Sequence, residues 1–179
     1  MEKAMKLTEI ARKTLEAYFR GEEFEPDVKT KRKYNEKKAC FVTLAKNSVL
    51  RGCIGCLEAR QVLWREVIEN AINAAFHDPR FIQLKEDELK DIKIEISILT
   101  KPKELTFKTS DELLKKIKNN MGLILRKKFC SSTFLPQVWE QIPNKKEFLE
   151  HLSMKAGLNK DAWKDAEIWY YTASVEKEN

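Results

Sequence analysis

The chain lacks the long apolar runs from which membrane-spanning helices are built. Hydrophobic residues make up 42% of its 179 residues, but charged residues interrupt them everywhere. No run approaches the roughly 20 apolar residues that a spanning helix requires. The first four residues also lack the apolar core of a signal peptide. These absences predict a cytoplasmic protein with no role for a membrane.

Cysteine and histidine are also scarce, with four cysteines and two histidines in the whole chain. Disulfide-bonded scaffolds are shorter and much richer in cysteine, so we expect reduced thiols. Cys53 and Cys56 form a Cys-x-x-Cys pair, but no second pair completes a zinc site, and we expect no metal. A thioredoxin-like pair begins a helix, whereas these two thiols flank a glycine at a strand end, which disfavours a redox role.

Charges of both signs are abundant, since 34 basic residues accompany 28 acidic ones and the formal net charge is +6. Residues 22–38 hold a basic cluster without hydrophobic periodicity, which predicts an exposed loop. Proteins that bind nucleic acid usually interleave aromatic side chains with their cations, and this segment has few. We interpret the cluster as a solvated surface, and nucleic-acid binding is the weaker alternative.

Hydrophobic periodicity divides the chain into helices and strands. In the first half it predicts a helix over 6–20, a hairpin of strands over 39–46 and 49–54, a helix over 62–76 and a strand over 92–99. In the second half it predicts a helix over 110–118, a hairpin over 121–125 and 129–135 turning at Lys127-Lys128, a helix over 146–156 and a strand over 167–175.

The order hairpin, helix, strand therefore occurs twice. It predicts an α+β fold in which a mainly antiparallel sheet is flanked by helices, built as a duplicated unit. We expect a single domain over residues 1–179 with lobes at about 39–100 and 121–175. A pocket would then lie near the junction of the lobes, close to the second strand.

That second strand carries the one stretch in which a cation, a thiol and two glycines coincide, Leu-Arg-Gly-Cys-Ile-Gly at residues 50–55. Glycines allow a ligand to approach the backbone, so Arg51, Gly52 and Gly55 are candidates for binding a small anion beside the N-terminus of the next helix. Alternation along a strand places Arg51 and Cys53 on one face, which would favour a Cys53 thiolate and makes Cys53 the candidate catalytic nucleophile. The alternative is a buried structural thiol.

Asp78 and Arg80 follow the next helix in the sequence Asp-Pro-Arg-Phe. They are candidates to add a carboxylate and a guanidinium to the same ligand site. The alternative is structural: Asp78 and Pro79 end the helix, and Arg80 pairs with a nearby carboxylate. A later motif, Pro-Gln-Val-Trp-Glu at 136–140, predicts a packing corner with Trp139 buried.

Seven segments occur in a characteristic order along the chain, namely residues 50–55, 70–76, 78–81, 94–97, 122–125, 133–140 and 155–158. Together they closely resemble the AMMECR domain family. The chain departs from that pattern at Cys56, where relatives more often carry Ser or Thr, and at Ser153, where Cys is common. The resemblance implies a two-lobed α/β domain whose six-residue signature at 50–55 has no agreed activity.

The resemblance also implies partners, because prokaryotic relatives are often encoded with, or fused to, a Memo-type protein and accompany a radical S-adenosylmethionine enzyme. Neither the residues nor the resemblance names a cofactor. The leading hypothesis is a catalytic or ligand-binding pocket for a small anionic molecule at the signature. A non-catalytic interaction or regulatory module for the two partners is the alternative, and it predicts an exposed apolar patch.

Overall fold

The structure is a computed structural model that describes residues 3–178. The expected lack of a signal-peptide core concerns the first four residues, of which Met1 and Glu2 lie outside the described residues. Its helices are α1 (Leu7–Phe19), α2 (Val28–Lys33), α3 (Leu63–Phe76), α4 (Ser110–Lys116) and α5 (Lys145–Lys155). Its strands are β1 (Cys40–Lys46), β2 (Val49–Gly55), β3 (Ile92–Leu99), β4 (Lys103–Glu104), β5 (Gly122–Lys127), β6 (Cys130–Phe134), β7 (Glu167–Tyr171) and β8 (Ala173–Lys177). None of these helices is long and apolar enough to cross a membrane.

The chain divides into two units. The first comprises the described residues up to Lys101 together with those from Ser174 onward, and the second is Pro102–Ala173. In the first unit the strands are ordered β2-β1-β3-β8, α3 packs on β1 and β2, and α1 packs on α3 and β3. Fully buried aliphatic side chains from the sheet and both helices form its core, including Ile10, Leu44 and Val67.

The second unit has a sheet of its own, ordered β4-β7-β5-β6, and α5 contacts β6. Its core centres on Trp139, whose ring stacks on Phe148 at 3.7 Å between centroids and whose Nε1 donates to the carbonyl of Met121 at 2.7 Å. The predicted burial of Trp139 is therefore confirmed within this unit. The α+β architecture predicted from the sequence is also confirmed, with antiparallel pairing inside both sheets.

The same strand pairing recurs in the two units. In each unit a hairpin is followed by a helix and then by a strand that pairs with the first strand of the hairpin, which gives the orders β2-β1-β3 and β6-β5-β7. A fourth strand then pairs with β3 or with β7, namely β8 in the first unit and β4 in the second. The outer strand of each hairpin, β2 or β6, is therefore a sheet edge. The sequences of the units do not repeat, so their origin by duplication stays a prediction, as do the lobe boundaries.

The prediction that residues 22–38 form a loop is wrong, because the segment contains helix α2. At the start of α2 the Asp27 side chain accepts from the Thr30 amide at 2.9 Å, and the Met5 amide donates to the buried Thr30 hydroxyl. Its helical turn is fixed by this cap rather than by an apolar stripe.

The prediction of a single strand over 167–175 is also wrong. The segment forms two strands that are separated at Thr172 and belong to different sheets: β7 pairs with β5, and β8 lies beside β3. The β-prone composition of the segment gives no sign of this change of sheet. Smaller differences also occur: β4 has no counterpart in the prediction, and the second hairpin turns at Lys128 and Phe129, where Lys128 has φ of 54°.

Candidate functional site

The signature stretch lies on β2, which contains a bulge at Arg51. Gly52 pairs with Leu44 of β1, and the next pair is Leu50 with Ala45, so the ladder passes over Arg51. A bulge breaks the alternation of side chains between the two faces of a strand. The alternation that predicted a common face for Arg51 and Cys53 does not hold across this bulge, and the two side chains have different partners.

The Arg51 side chain is buried in contacts with residues 82–88. Its Nε and Nη2 donate to the Glu88 carboxylate at 3.1 and 2.9 Å, and Nη1 donates to the carbonyl of Ile82 at 2.9 Å. Only 12% of the Arg51 side chain and 14% of that of Glu88 are exposed. The hydrogen bond from Arg51 is the main cause that lowers the pKa of Glu88 to about 2, so this ion pair persists at neutral pH.

The two glycines of the signature are sites of close backbone approach. A Cβ on Gly52 would lie 2.1 Å from the carbonyl oxygen of Ala74 in α3, and one on Gly55 would lie 2.3 Å from the carbonyl oxygen of Cys40. Both clashes are with backbone atoms, which cannot move aside as a flexible side chain would. The glycines therefore let β2 sit directly against α3 and β1.

Asp78 and Arg80 bind the outer edge of β2 at Cys53. The Cys53 amide donates to Asp78 Oδ2 at 2.9 Å, and Arg80 Nη2 donates to the Cys53 carbonyl at 3.2 Å. Arg80 also donates to both oxygens of Asp78, at 3.0 and 2.7 Å, which is the main cause that lowers the pKa of Asp78 to about 2. The pair thus satisfies the two edge groups that a neighbouring strand would otherwise bind.

The Cys53 thiol points to a different environment from Arg51. Its Sγ lies 3.2 Å from the hydroxyl of Thr43, and burial raises its pKa above the ordinary value for a thiol. The charges that act on it are those of Arg80, which favours the thiolate, and of Asp78 and Glu95, which oppose it. A thiol in this setting is protonated at neutral pH, and its role as a nucleophile stays a prediction.

The N-terminus of α3, the other half of the predicted anion site, is occupied by protein groups. The Leu63 amide donates to the carbonyl of Glu36 at 2.9 Å, and Glu66 lies in the first helical turn with only 1% of its surface exposed. A negative charge in the first turn already complements the helix dipole. A second anion bound there would meet this carboxylate.

Sequence reasoning missed a polar cluster around Glu66. The Cys56 thiol donates to Glu66 Oε1 at 2.7 Å, and the Asn70 amide lies 3.4 Å from the same oxygen and donates to the Cys40 carbonyl at 3.2 Å. Arg60, mostly exposed, approaches Glu66 to 3.9 Å. The signal in the sequence was that Glu66 and Asn70 lie four residues apart beside the apolar stripe of α3. The structure shows that both are buried.

Three exposed apolar residues lie in the two chain segments that the Arg51 side chain joins, and we call Val49, Leu50 and Ile82 the apolar rim. Their exposed fractions are 68%, 40% and 76%. Val49 and Leu50 directly precede Arg51, and the carbonyl of Ile82 accepts from the Arg51 guanidinium. The hydrogen bond from Arg51 to the Ile82 carbonyl therefore links the two segments of the rim, and the ion pair with Glu88 fixes the guanidinium that donates it.

The basic segment at 22–38 is partly neutralised. Lys31 pairs with Glu25 and lies over the Trp64 ring at 5.2 Å, and Lys38 pairs with Glu36 at 2.7 Å. These contacts fit the interpretation of a solvated surface. Within residues 3–178, no three side chains of the His, Cys, Asp or Glu type converge so as to hold a metal ion.

Comparison with known proteins matches the chain along nearly its whole length. A family model described as AMMECR1 matches residues 8–176. A protein of Methanosarcina mazei is 38% identical over 176 residues, covering 94% of this chain and 88% of its own length, and protein NEQ441 of Nanoarchaeum equitans is 36% identical, covering 98% and 100%. The crystal structure of the uncharacterised protein PH0010 from Pyrococcus horikoshii has a TM-score of 0.89 and 36% identity, covering 97% of this chain and 90% of that one.

Proposed function

Because this chain belongs to the AMMECR1 family, we propose that it is an interaction domain that binds a partner protein at the apolar rim of its signature motif. The observation that carries the proposal is that Val49, Leu50 and Ile82 are all exposed and lie in the two segments that Arg51 joins. Single exposed apolar side chains are normal on any surface. Three of them lie in the two segments that the Arg51 side chain joins, and we interpret them as a contact surface of the kind that protein interfaces use.

The polar atoms of the signature support docking at the rim more than capture of an anion by Arg51. The Arg51 guanidinium donates to Glu88 and to two main-chain carbonyls, of Ile82 and Gln83. An anionic ligand at Arg51 would have to displace Glu88, which is ionised at neutral pH. These contacts instead hold the rim rigid before a partner arrives, which lowers the entropy cost of binding.

The mode of binding follows from the edge of β2. An added strand would need the free amide and carbonyl of Cys53, and both are occupied by Asp78 and Arg80. Side-chain docking onto the rim does not need those groups. We therefore propose that the partner inserts apolar side chains beside Leu50 and Ile82 rather than extending the sheet.

The candidate partners are a Memo-type protein and a radical S-adenosylmethionine enzyme, which the family resemblance implies. Each is immobilised in turn, and binding of the wild-type chain is compared with that of Leu50→Ser and Ile82→Ser by biolayer interferometry. Removal of a rim side chain should weaken binding by about 10-fold to 100-fold. Val28→Ser is the matched control, because Val28 is 65% exposed in the same unit and lies on α2.

The proposal fails if the wild-type chain binds neither partner. It also fails if Val28→Ser weakens binding as much as the two rim substitutions do. Circular dichroism of each variant checks that the fold is intact, which we expect for substitutions at exposed positions.

A second candidate function, binding of a small anionic ligand, is favoured by one observation at Arg80. More than half of its side chain, 55%, is exposed, although it binds Asp78, and it lies beside the Cys53 backbone. Phosphorylated metabolites, small carboxylates and S-adenosylmethionine are the probes in a thermal-shift screen. A melting-temperature increase that is present in the wild type and lost in Arg80→Ala supports this function, and the lack of any increase with all probes rejects it.

A further inference from the structure

The polar cluster behind the signature brings two cysteines together. Residue pairing in the first hairpin runs Thr43 with Cys53 and Phe41 with Gly55, so the next position places Cys40 opposite Cys56. The Cys56 amide donates to the Cys40 carbonyl at 3.3 Å, which continues the ladder to this pair. Residues opposed in an antiparallel ladder have Cα atoms about 4.5–5.5 Å apart, within the range that a disulfide spans.

The same register separates Cys56 from Cys53. Side chains of successive pairs alternate between the faces of a sheet, so Thr43, which pairs with Cys53, lies on the face opposite to Cys40. The Cys53 thiol accordingly contacts the Thr43 hydroxyl, whereas the Cys56 thiol contacts Glu66. The Cys-x-x-Cys spacing in the sequence is thus not the spatial pair.

Cys56 has the neighbours that thiol chemistry requires. Its Sγ is half-buried and lies 2.7 Å from Glu66 Oε1, within reach for proton transfer, and 3.0 Å from the carbonyl oxygen of Glu58. The Arg60 guanidinium also acts on Cys56 and lowers its pKa, against the stronger effects of burial and Glu66. The Asn70 amide, 3.4 Å from the same oxygen, orients the carboxylate. Among the described residues the second oxygen of Glu66 is buried without a hydrogen-bond partner, so it has capacity to accept a proton or a donor group.

We propose that Cys56 is a thiol–disulfide exchange site for low-molecular-weight disulfides, with Glu66 as the base and Cys40 as the resolving thiol. This inference is independent of partner docking at the apolar rim. Burial and the contact with Glu66 raise the pKa of Cys56 to about 11, so its thiol is protonated at neutral pH and exchange needs an adjacent base.

The exchange balances without any further reagent. Cys56 transfers its thiol proton to Glu66, and its sulfur attacks one sulfur of the small disulfide, forming a mixed disulfide and releasing a thiolate that takes up the proton. The Cys40 thiol then attacks the Cys56 sulfur, and its proton leaves with the second small thiol. The two cysteines are oxidised by two electrons to a disulfide, and the small disulfide is reduced to two thiols.

The order of the two steps follows from exposure. Cys40 is fully buried, and burial raises its pKa to about 12, so it cannot meet a reagent from solution directly. Cys40 can react only after Cys56 has formed a mixed disulfide, because the Cys56 sulfur opposite it is then electrophilic. Cys56 is therefore the entry point and Cys40 the second thiol.

The test incubates the reduced full-length chain with oxidised glutathione, alkylates the remaining thiols in acid and maps the products by peptide mass spectrometry. The wild type should accumulate a Cys40–Cys56 disulfide. Cys40→Ser should stop at a glutathione mixed disulfide on Cys56. Glu66→Gln should slow modification of Cys56 by about 10-fold or more, and Cys130→Ser, in the other unit, should react as the wild type does.

A second variant keeps the proposal falsifiable if Glu66→Gln does not fold. Cys56→Ser retains a hydroxyl that can donate to Glu66, and in this variant Cys40 should stay unmodified. The proposal is overturned if glutathione enters at Cys53 or Cys130 before Cys56, or if Cys56 links to Cys53. It is also overturned if Cys40 is modified in Cys56→Ser, or if folded Glu66→Gln reacts at the wild-type rate.

Discussion

The outer strands of the two hairpins occupy equivalent places in their sheets but are held by different chemistry. In the first unit β2 is held by ionised groups: the Arg51–Glu88 pair ties it to the segment after α3, and the Asp78–Arg80 pair binds the backbone of Cys53. Both carboxylates have a pKa of about 2. Charge therefore carries much of the attachment of this strand.

In the second unit β6 is held by hydroxyls and by one cation, since Lys155 Nζ donates to the Thr133 carbonyl at 2.8 Å. Ser132 Oγ donates to the Leu152 carbonyl at 2.6 Å, and Thr133 Oγ1 donates to the Leu123 carbonyl at 2.9 Å and lies 2.9 Å from the hydroxyl of Tyr171. The two strands follow the same pairing pattern, but β2 is attached by carboxylates that pair with the signature residues or bind their backbone, whereas β6 is attached by hydroxyls and a cation. The signature therefore reflects how β2 is held and not the pairing pattern itself. Acid should therefore weaken the attachment of β2, whose carboxylates become protonated, more than that of β6.

The largest effect is expected from Gly52→Ala, which would break the contact between β2 and α3. The new Cβ would lie 2.1 Å from the backbone carbonyl oxygen of Ala74. We expect a loss of about 3 kcal/mol or more in the free energy of unfolding, measured by urea denaturation. Gly21→Ala is the control: Gly21 has φ of 71° but open space around it, so its loss should be about 1 kcal/mol. Equal losses in the two variants would contradict the close approach.

A smaller effect is expected when the charge of Asp78 is removed. Its pKa falls from 3.8 to about 2 on folding, so its stabilisation is fully present above pH 4 and is lost as the pH falls through 2. Asp78→Asn should therefore cost about 2 kcal/mol at pH 7, and the difference from the wild type should shrink towards zero near pH 2. Urea denaturation across this pH range measures it. A difference that does not change with pH would show that the charge of Asp78 contributes nothing.

The smallest effect is expected at the outer strand of the second unit. Thr133→Val removes the hydroxyl that bonds the Leu123 carbonyl and should cost about 1 kcal/mol. The hydroxyl does not titrate, and Lys155, which binds the Thr133 carbonyl, stays charged over this range, so the cost should be the same at pH 7 and pH 3. Ser131→Ala, at an exposed position on the same strand, should cost almost nothing. A cost at Thr133 that depends on pH would remove the distinction between the two hairpins.

Local patterns predicted most of the secondary structure. The alternation of isoleucines gave β3 with its observed bounds, and the apolar stripes gave α1 and α3 to within one residue. These elements bury one face, and burial imposes a period that a sequence displays directly. Helix α2 lacks such a stripe, and the change of sheet at Thr172 leaves no local mark, so both escaped prediction.

The geometry of the candidate site was less predictable. The sequence indicated that residues 50–55 and 78–80 act together, and the structure places both segments at the edge of β2. It did not indicate the bulge at Arg51 or the pairing with Glu88, 37 residues away, because one acidic residue among several in that segment has no distinguishing local pattern. The opposition of Cys40 and Cys56 likewise depends on strand register, which a turn and a bulge set jointly.

A double-mutant cycle on Arg51 and Glu88 tests most directly whether the signature serves the fold rather than an anion. Arg51→Met, Glu88→Gln and the double variant are compared with the wild type by urea denaturation at pH 7. We expect a coupling energy of about 2 kcal/mol, since the pair is bidentate and largely buried. The Lys127–Asp165 pair of the second unit, in which 70% of the Asp165 side chain is exposed, serves as the control and should show a coupling below about 1 kcal/mol. No coupling between Arg51 and Glu88, together with an anion that raises the melting temperature only when Arg51 is present, would contradict this view of the signature.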